Sequence, residues 1–201
     1  MLVERFVVGT LATNCYLVWE ETKGRSVVID PGDDGDFVSD QIAARHLDLQ
    51  AILLTHGHFD HCLGVLPLKL NFNAPVYLHQ RDHGLYTRAE GSADYWQPLV
   101  PHDPLPPVDS FFPGSHPPST LYDLQVLHTP GHTPGSVCFY LPKAGYLFTG
   151  DTLFKGSVGE TRHQYSSALK LSSSLKKLSL LPPETVVYPG HGEPTTIGDE
   201  F

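Results

Sequence analysis

Cysteine is scarce in this chain, and the little there is lies apart. Cys15, Cys62 and Cys138 form no CxxC pair and make an odd number. That excludes a disulfide framework and fits a reducing compartment, so a cytoplasmic protein is expected. Long apolar runs are also missing. Nothing approaches the roughly 20 apolar residues of a membrane span, and residues 1–9, with Glu4 and Arg5 among them, lack the apolar stretch of a signal peptide. Basic residues are few: 13 Lys and Arg face 22 Asp and Glu, for a formal net charge of -9. A surface of that sign repels a phosphate backbone, so no nucleic-acid partner is expected, and no membrane partner either.

What the chain does have is histidine, 12 residues against a single Met and two Trp. Imidazole is the commonest metal-ligand side chain, so the placing of these residues matters more than their number. With 40% hydrophobic and 17% charged residues, the 201 residues are expected to form one globular domain over 1–201.

Short apolar segments predict strands at 14–19, 26–29, 51–54, 75–79, 121–129, 137–141, 146–149 and 185–188. Helical spacing marks 37–47, 63–70 despite Pro67, and 166–181, where Leu169, Leu175 and Leu178 are among the apolar positions. Residues 91–120 hold eight prolines, a density that excludes regular structure through most of the segment. Its aromatic residues suggest a substrate-facing cover containing Tyr95 and Trp96. Strands cluster in each half, with helices between and after them. The expectation is an α/β protein, two sheets packed together with helices outside.

Four loops carry chemistry, and each follows a predicted strand: THGHFDH (55–61), PGHTPG (130–135), TGDT (149–152) and YPGHG (188–192). His56 and His58 are two apart, so on extended backbone they project to one side. Asp60 and His61 follow where the chain turns into a helix. In the other three loops His132, Asp151 and His191 each directly follow a glycine, which permits a tight turn and a close approach. Five His and two Asp suit Zn, and also Fe or Mn. The cluster in 56–61 would be costly to bury without a metal. His46, His79, His83, His102, His116, His128 and His163 are read as ordinary surface or core residues, and Cys62 as a small buried side chain on the following helix.

These motifs, in this order and covering nearly the whole chain, resemble the metallo-β-lactamase fold superfamily. The resemblance implies a four-layer αββα sandwich with two divalent metal ions at one edge of the sheets. One ion is implied on His56, His58 and His132, the other on Asp60, His61 and His191, with Asp151 bridging them and Asp30 as a supporting aspartate. It implies a hydrolase using a metal-bridging hydroxide, with Asp60 and Asp151 as catalytic residues.

Within the superfamily the sequence is most similar to the short relatives of glyoxalase II, through FTGDTLF, GSVG and PTTIG. That similarity implies a thioesterase of the hydroxyacylglutathione hydrolase type acting on a small-molecule thioester. Thiols have a pKa near 8.5, so the leaving group needs little protonation. The helical C-terminal domain of full-length glyoxalase II is not expected here. Glu160 stands where those relatives carry a basic residue, and no tyrosine follows His191 at the position that contacts glutathione in them. Lys155, Arg162 and Tyr165 are the remaining candidate substrate contacts. Persulfide dioxygenases share the scaffold and would place one iron on His56, His132 and Asp151. A promiscuous metallo-hydrolase with weak β-lactamase or other ester or phosphoester activity is the third reading.

Overall fold

The computed structural model describes residues 1–113 and 123–201. Six strands form the first sheet, in chain order: β1 (Leu2–Val8), β2 (Thr13–Trp19), β3 (Arg25–Ile29), β4 (Asp48–Leu53), β5 (Val76–His79) and β6 (Ser110–Phe112). β1, β2 and β3 are antiparallel neighbours, whereas β3 to β6 run parallel. The second sheet contains β7 (Gln125–His128), β8 (Val137–Leu141), β9 (Tyr146–Gly150), β12 (Val186–Pro189) and β13 (Thr195–Thr196), in the order β13-β12-β9-β8-β7. The intervening β10 (Leu153–Phe154) and β11 (Ser157–Val158) make a small separate ribbon. The helices are α1 (Gly35–Ala44), α2 (Phe59–Cys62), α3 (Val65–Phe72), α4 (His83–Tyr86), α5 (Ala89–Trp96), α6 (Ala168–Leu178) and α7 (Ile197–Glu200).

Alternation along the strands builds the layers. Val27, Ile29, Ala51 and Leu53 of the first sheet meet Val137, Phe139, Leu141 and Phe148 of the second in one buried cluster. Their neighbours Val28, Ile52 and Leu54 turn the other way, onto Val38 and Ile42 of α1 and Val65 and Leu68 of α3. Cys138, Tyr140, Leu147 and Val187 face outward from the second sheet onto Leu178 of α6 and Ile197 of α7. Both faces of each sheet are covered, which explains why β3, β4 and β8 read as unbroken apolar runs rather than alternating ones. The four layers are the expected αββα sandwich.

Several boundaries differ from the sequence reading, for physical reasons. Helix α1 starts two residues early and stops at Ala44, and His46 beyond it has a φ of 53°. Pro67 is tolerated because it lies in the first turn of α3, where its missing N–H has no partner in the helix. The segment 91–120 begins as helix: α5 ends at Trp96, just before Pro98, and Tyr95 and Trp96 sit on it. Phe111 and Phe112 lie in β6, and the rest of that reading, with His116 and the start of the strand expected at 121–129, falls partly in 114–122, outside the described residues. Of the expected apolar positions on α6, Leu178 is buried and Leu175 packs against the same cluster, whereas Leu169 is 80% exposed and Leu171 and Ser174 complete the buried face. The edge strand β1 and the terminal β13 and α7 had no clear signal.

Candidate metal centre

Five strands deliver the site. In the first sheet β3 and β4 run parallel and end at Asp30 and at the 55–61 loop. In the second, β7 and β9 are both antiparallel to β8, and β12 is parallel to β9, so all three run the same way. Their C-terminal ends carry the 130–135, 149–152 and 188–192 loops to one edge of the sandwich.

Two groups of three ligand atoms meet there. The first is His56, His58 and His132. His58 Nδ1 lies 3.0 Å from His56 Nε2 and 3.0 Å from His132 Nε2. The second is Asp60, His61 and His191. Asp60 Oδ2 lies 3.4 Å from both His61 Nε2 and His191 Nε2. Asp151 stands between the groups. Its Oδ2 is 3.6 Å from His132 Nε2 and 3.7 Å from His191 Nε2, while its Oδ1 is 3.4 Å from His61 Nε2. These separations around Asp60 and Asp151 are long for hydrogen bonds and suit atoms arranged about a shared cation.

The fit to metal can be tested on the residues themselves. Among the described residues, His61 Nε2 and Asp151 Oδ1 are fully buried and have no hydrogen-bond partner. Orphaned polar atoms are costly in an interior, and here an imidazole nitrogen and a carboxylate oxygen lie 3.4 Å apart, a donor pair that a divalent ion would satisfy. Gly190 forms the nearby wall: a side chain there would collide with Asp151 Oδ1 and His61 Cε1. The space is kept open, and it is lined by donors of the right kind for a divalent ion.

Outer partners fix the ring orientations. Asp30, 1% exposed and held at a φ of 49°, accepts from Thr55 N at 2.7 Å and from Thr55 Oγ1 at 2.6 Å. The same carboxylate accepts from His61 Nδ1 at 2.9 Å, which turns the His61 Nε2 lone pair inward. Since Thr55 gives its hydroxyl proton to Asp30, its oxygen accepts from His56 Nδ1 at 3.0 Å. His132 Nδ1 donates to the Glu160 carbonyl at 2.8 Å. Asp30, His56 and His61 also lie within ligand distance of one another, but these hydrogen bonds already account for the Asp30 contacts.

The two halves differ in electrostatics. Burial, reinforced by neighbouring imidazoles, pushes His56 well down and His58 down to about 3, so both rings stay neutral and keep their lone pairs. At His61 burial works the same way, but Asp60, Asp151 and Asp30 overcome it and raise the ring to about 10. His191 is raised too, against burial, by the neighbouring Asp60 and Asp151 carboxylates. Burial would raise Asp60, yet His61 and His191 hold it below its ordinary range. The carboxylates around the second group therefore demand a positive charge, which a proton or a metal cation can supply.

Sequence reasoning missed three supports. Asp82, fully buried, accepts from Gly57 N at 3.1 Å, Gly135 N at 2.6 Å and Thr133 Oγ1 at 2.6 Å, tying two ligand loops together. Thr13 donates to Asp60 Oδ2 at 3.1 Å. Asn14 Nδ2 donates to the carbonyls of Pro189 and Gly192, holding the His191 loop. The one available signal was an Asp soon after a strand, in 79–82, as at Asp30.

Of the five candidate substrate contacts, Tyr165 reaches the rings, its hydroxyl 2.8 Å from His58 Nε2. Tyr95 and Trp96 are 76% and 69% exposed and line a depression with Arg88 and Ser92. Lys155 lines a separate hollow with Thr196 and Glu200, and Arg162 is paired with Glu160 at 2.6 Å. Cys62 is buried and donates to the His58 carbonyl. His163, read as an ordinary residue, stacks on Tyr165 at 5.1 Å beside the site.

Fold and site together define a metallo-beta-lactamase-type protein, and the family model of that superfamily matches residues 8–191. The chain belongs to the metallo-beta-lactamase superfamily. It is 32% identical over 209 residues to the hydroxyacylglutathione hydrolase GloC of Haemophilus influenzae, covering 100% of this chain and 95% of that one. Among solved structures it is similar to TTHA1623, crystallised in a di-iron-bound form, with a TM-score of 0.87, 43% identity and coverage of 98% and 96% of the two chains. It is also similar to BLEG-1, a B3 metallo-beta-lactamase, with a TM-score of 0.90, 33% identity and coverage of 98% and 95%.

Proposed function

We propose that this metallo-hydrolase is a dinuclear thioesterase of the hydroxyacylglutathione hydrolase type, working in the cytoplasm, where its three unpaired thiols remain reduced. The observation that carries the reading is the pair of three-ligand groups joined by Asp151. His56, His58 and His132 would hold one ion, Asp60, His61 and His191 the other, and Asp151 would serve both. The donor set is nitrogen and carboxylate oxygen without thiolate, which accepts Zn first and Fe or Mn as well. Bound there, divalent ions supply a water of lowered pKa and polarise a carbonyl oxygen.

The chain's own residues do the rest. Asp60, its Oδ2 steadied by Thr13 Oγ1, orients the attacking water and can take its proton. Asp30 and Thr55 lock the imidazoles so that no reorganisation is needed during turnover. A thiolate leaves without a dedicated acid, and no strong general acid is needed at the rim. The thioester preference is supported by the likeness to the Haemophilus influenzae hydrolase. Helix α5 packs on α2, which carries Asp60 and His61, and this contact supports reading Tyr95 and Trp96 as substrate-facing residues. Trp96→Ala is expected to raise KM with kcat unchanged; identical kinetics on every active substrate would remove α5 from the binding surface.

The test pairs metal analysis by mass spectrometry with S-lactoylglutathione hydrolysis on one sample purified without added metal. Two metals per chain with thioester turnover is the expected result. One iron, no turnover and oxygen uptake with glutathione persulfide would overturn it in favour of a dioxygenase.

A further inference from the structure

Four ligand imidazoles have an identified partner on the nitrogen that points away from the site, and three of those partners can only accept. Asp30 is a carboxylate, Glu160 offers a carbonyl, and Thr55 has committed its proton to Asp30. The fourth is different. His58 Nε2 meets the phenol of Tyr165 at 2.8 Å, and a phenol can donate or accept. On the other side of the same ring, His58 Nδ1 faces two inward lone pairs, those of His56 Nε2 and His132 Nε2, at 3.0 Å each.

Three lone pairs at that spacing repel one another unless something positive sits among them. There are two solutions. His58 can carry its hydrogen on Nδ1 and donate inward, in which case Tyr165 donates to Nε2. Alternatively His58 carries its hydrogen on Nε2 and donates it to Tyr165, leaving Nδ1 free as a ligand. The first arrangement closes the three-His group on itself, and the second opens it to a cation. We propose that Tyr165 is a positioning residue for the three-His subsite, its hydroxyl turning between these two arrangements so that the group is satisfied both empty and loaded.

The surroundings hold Tyr165 in place for this role. His163 stacks on its ring with 12° between the planes. Immediately after it, Ser166 Oγ donates to the His132 carbonyl at 2.6 Å and Ser167 N donates to the Gly131 carbonyl at 2.8 Å, which pins the segment to the loop carrying another ligand of the same group. Tyr165 remains 38% exposed, so its hydroxyl hydrogen can reorient without unpacking a core.

The proposal rests on the metal-site reading above, and the test separates the two. Wild type, Tyr165→Phe and His163→Phe are loaded with Zn and challenged with a chelator, retained metal is counted, and ring-nitrogen NMR follows the His58 tautomer with and without metal. Wild type should keep two metals, with His58 hydrogen on Nδ1 when empty and on Nε2 when loaded. Tyr165→Phe should keep one tightly and bind the other roughly 10- to 100-fold more weakly, with an unchanged circular dichroism spectrum. His163→Phe, which retains the hydroxyl and a stacking ring, should keep both. Two tight metals in Tyr165→Phe, or a His58 hydrogen that stays on Nε2 in both states, overturns the proposal alone. Failure of wild type to bind metal at all overturns the metal-site reading and this one with it.

Discussion

Asp151 touches three imidazole nitrogens of two ligand groups with two oxygens. No neighbouring residue can replace it, because Gly190 beside it has no side chain and Asp60 is engaged with His61, His191 and Thr13. Asp151→Ala is therefore expected to lower metal content and abolish hydrolysis; full activity with full metal content would remove Asp151 from the site. The ligand residues were legible because they come in clusters with fixed spacing, and a row of His and Asp at strand ends has few uses other than metal. Asp82, Thr13 and Asn14 were not legible. Each is a single polar residue whose partners lie far along the chain, and such pairings exist only once the two sheets have closed on each other.

At the scale of elements, Asp82 shows how loops are held. It accepts three hydrogen bonds from the 55–61 and 130–135 loops. Asp82→Ala would strand buried donors at roughly 1–3 kcal/mol each, so a lower denaturant midpoint and weaker metal retention are expected together. Helix α6 offers a cleaner contrast. Leu171 is 4% exposed and Leu169 is 80% exposed. Leu171→Ala should cost about 2–5 kcal/mol of unfolding free energy, while Leu169→Ala should shift the midpoint very little. The sequence pattern found this helix and its inward Leu175 and Leu178 but misplaced Leu169, because serines at 172–174 blur the apolar stripe and Ser174 is buried through its bond to the Pro130 carbonyl. The strands were easier, since burial on both faces leaves long apolar runs. Segment 91–96 was harder, because the prolines downstream of Trp96 masked a helix that ends before the first of them.

For the molecule as a whole, pH bears on stability away from the metal site. His79 is buried, stacked on His128 at 4.2 Å, and caps the turn leading to Asp82 by accepting from Arg81 N. Burial, with His128 and Arg81 adding to it, lowers its pKa from 6.5 to about 4. The unfolded chain thus takes a proton near pH 6.5 that the folded chain refuses until about pH 4. This contribution to stability is complete above the upper value and is lost as pH falls toward the lower one. His79→Gln removes the titration, so its Tm should decline less steeply than that of wild type across this window; parallel curves would show that another group governs the acid limb.

The common direction of the five strands that end at the site leaves the molecule with a working pole and an idle one. The turn between β2 and β3 lies at the idle pole, and Glu21, Thr22 and Lys23 there are exposed. A passenger domain grafted into that turn, or a linker to a solid support, would hang from the far side of the sandwich. The chain can thus be tethered with its entrance facing the bulk solution.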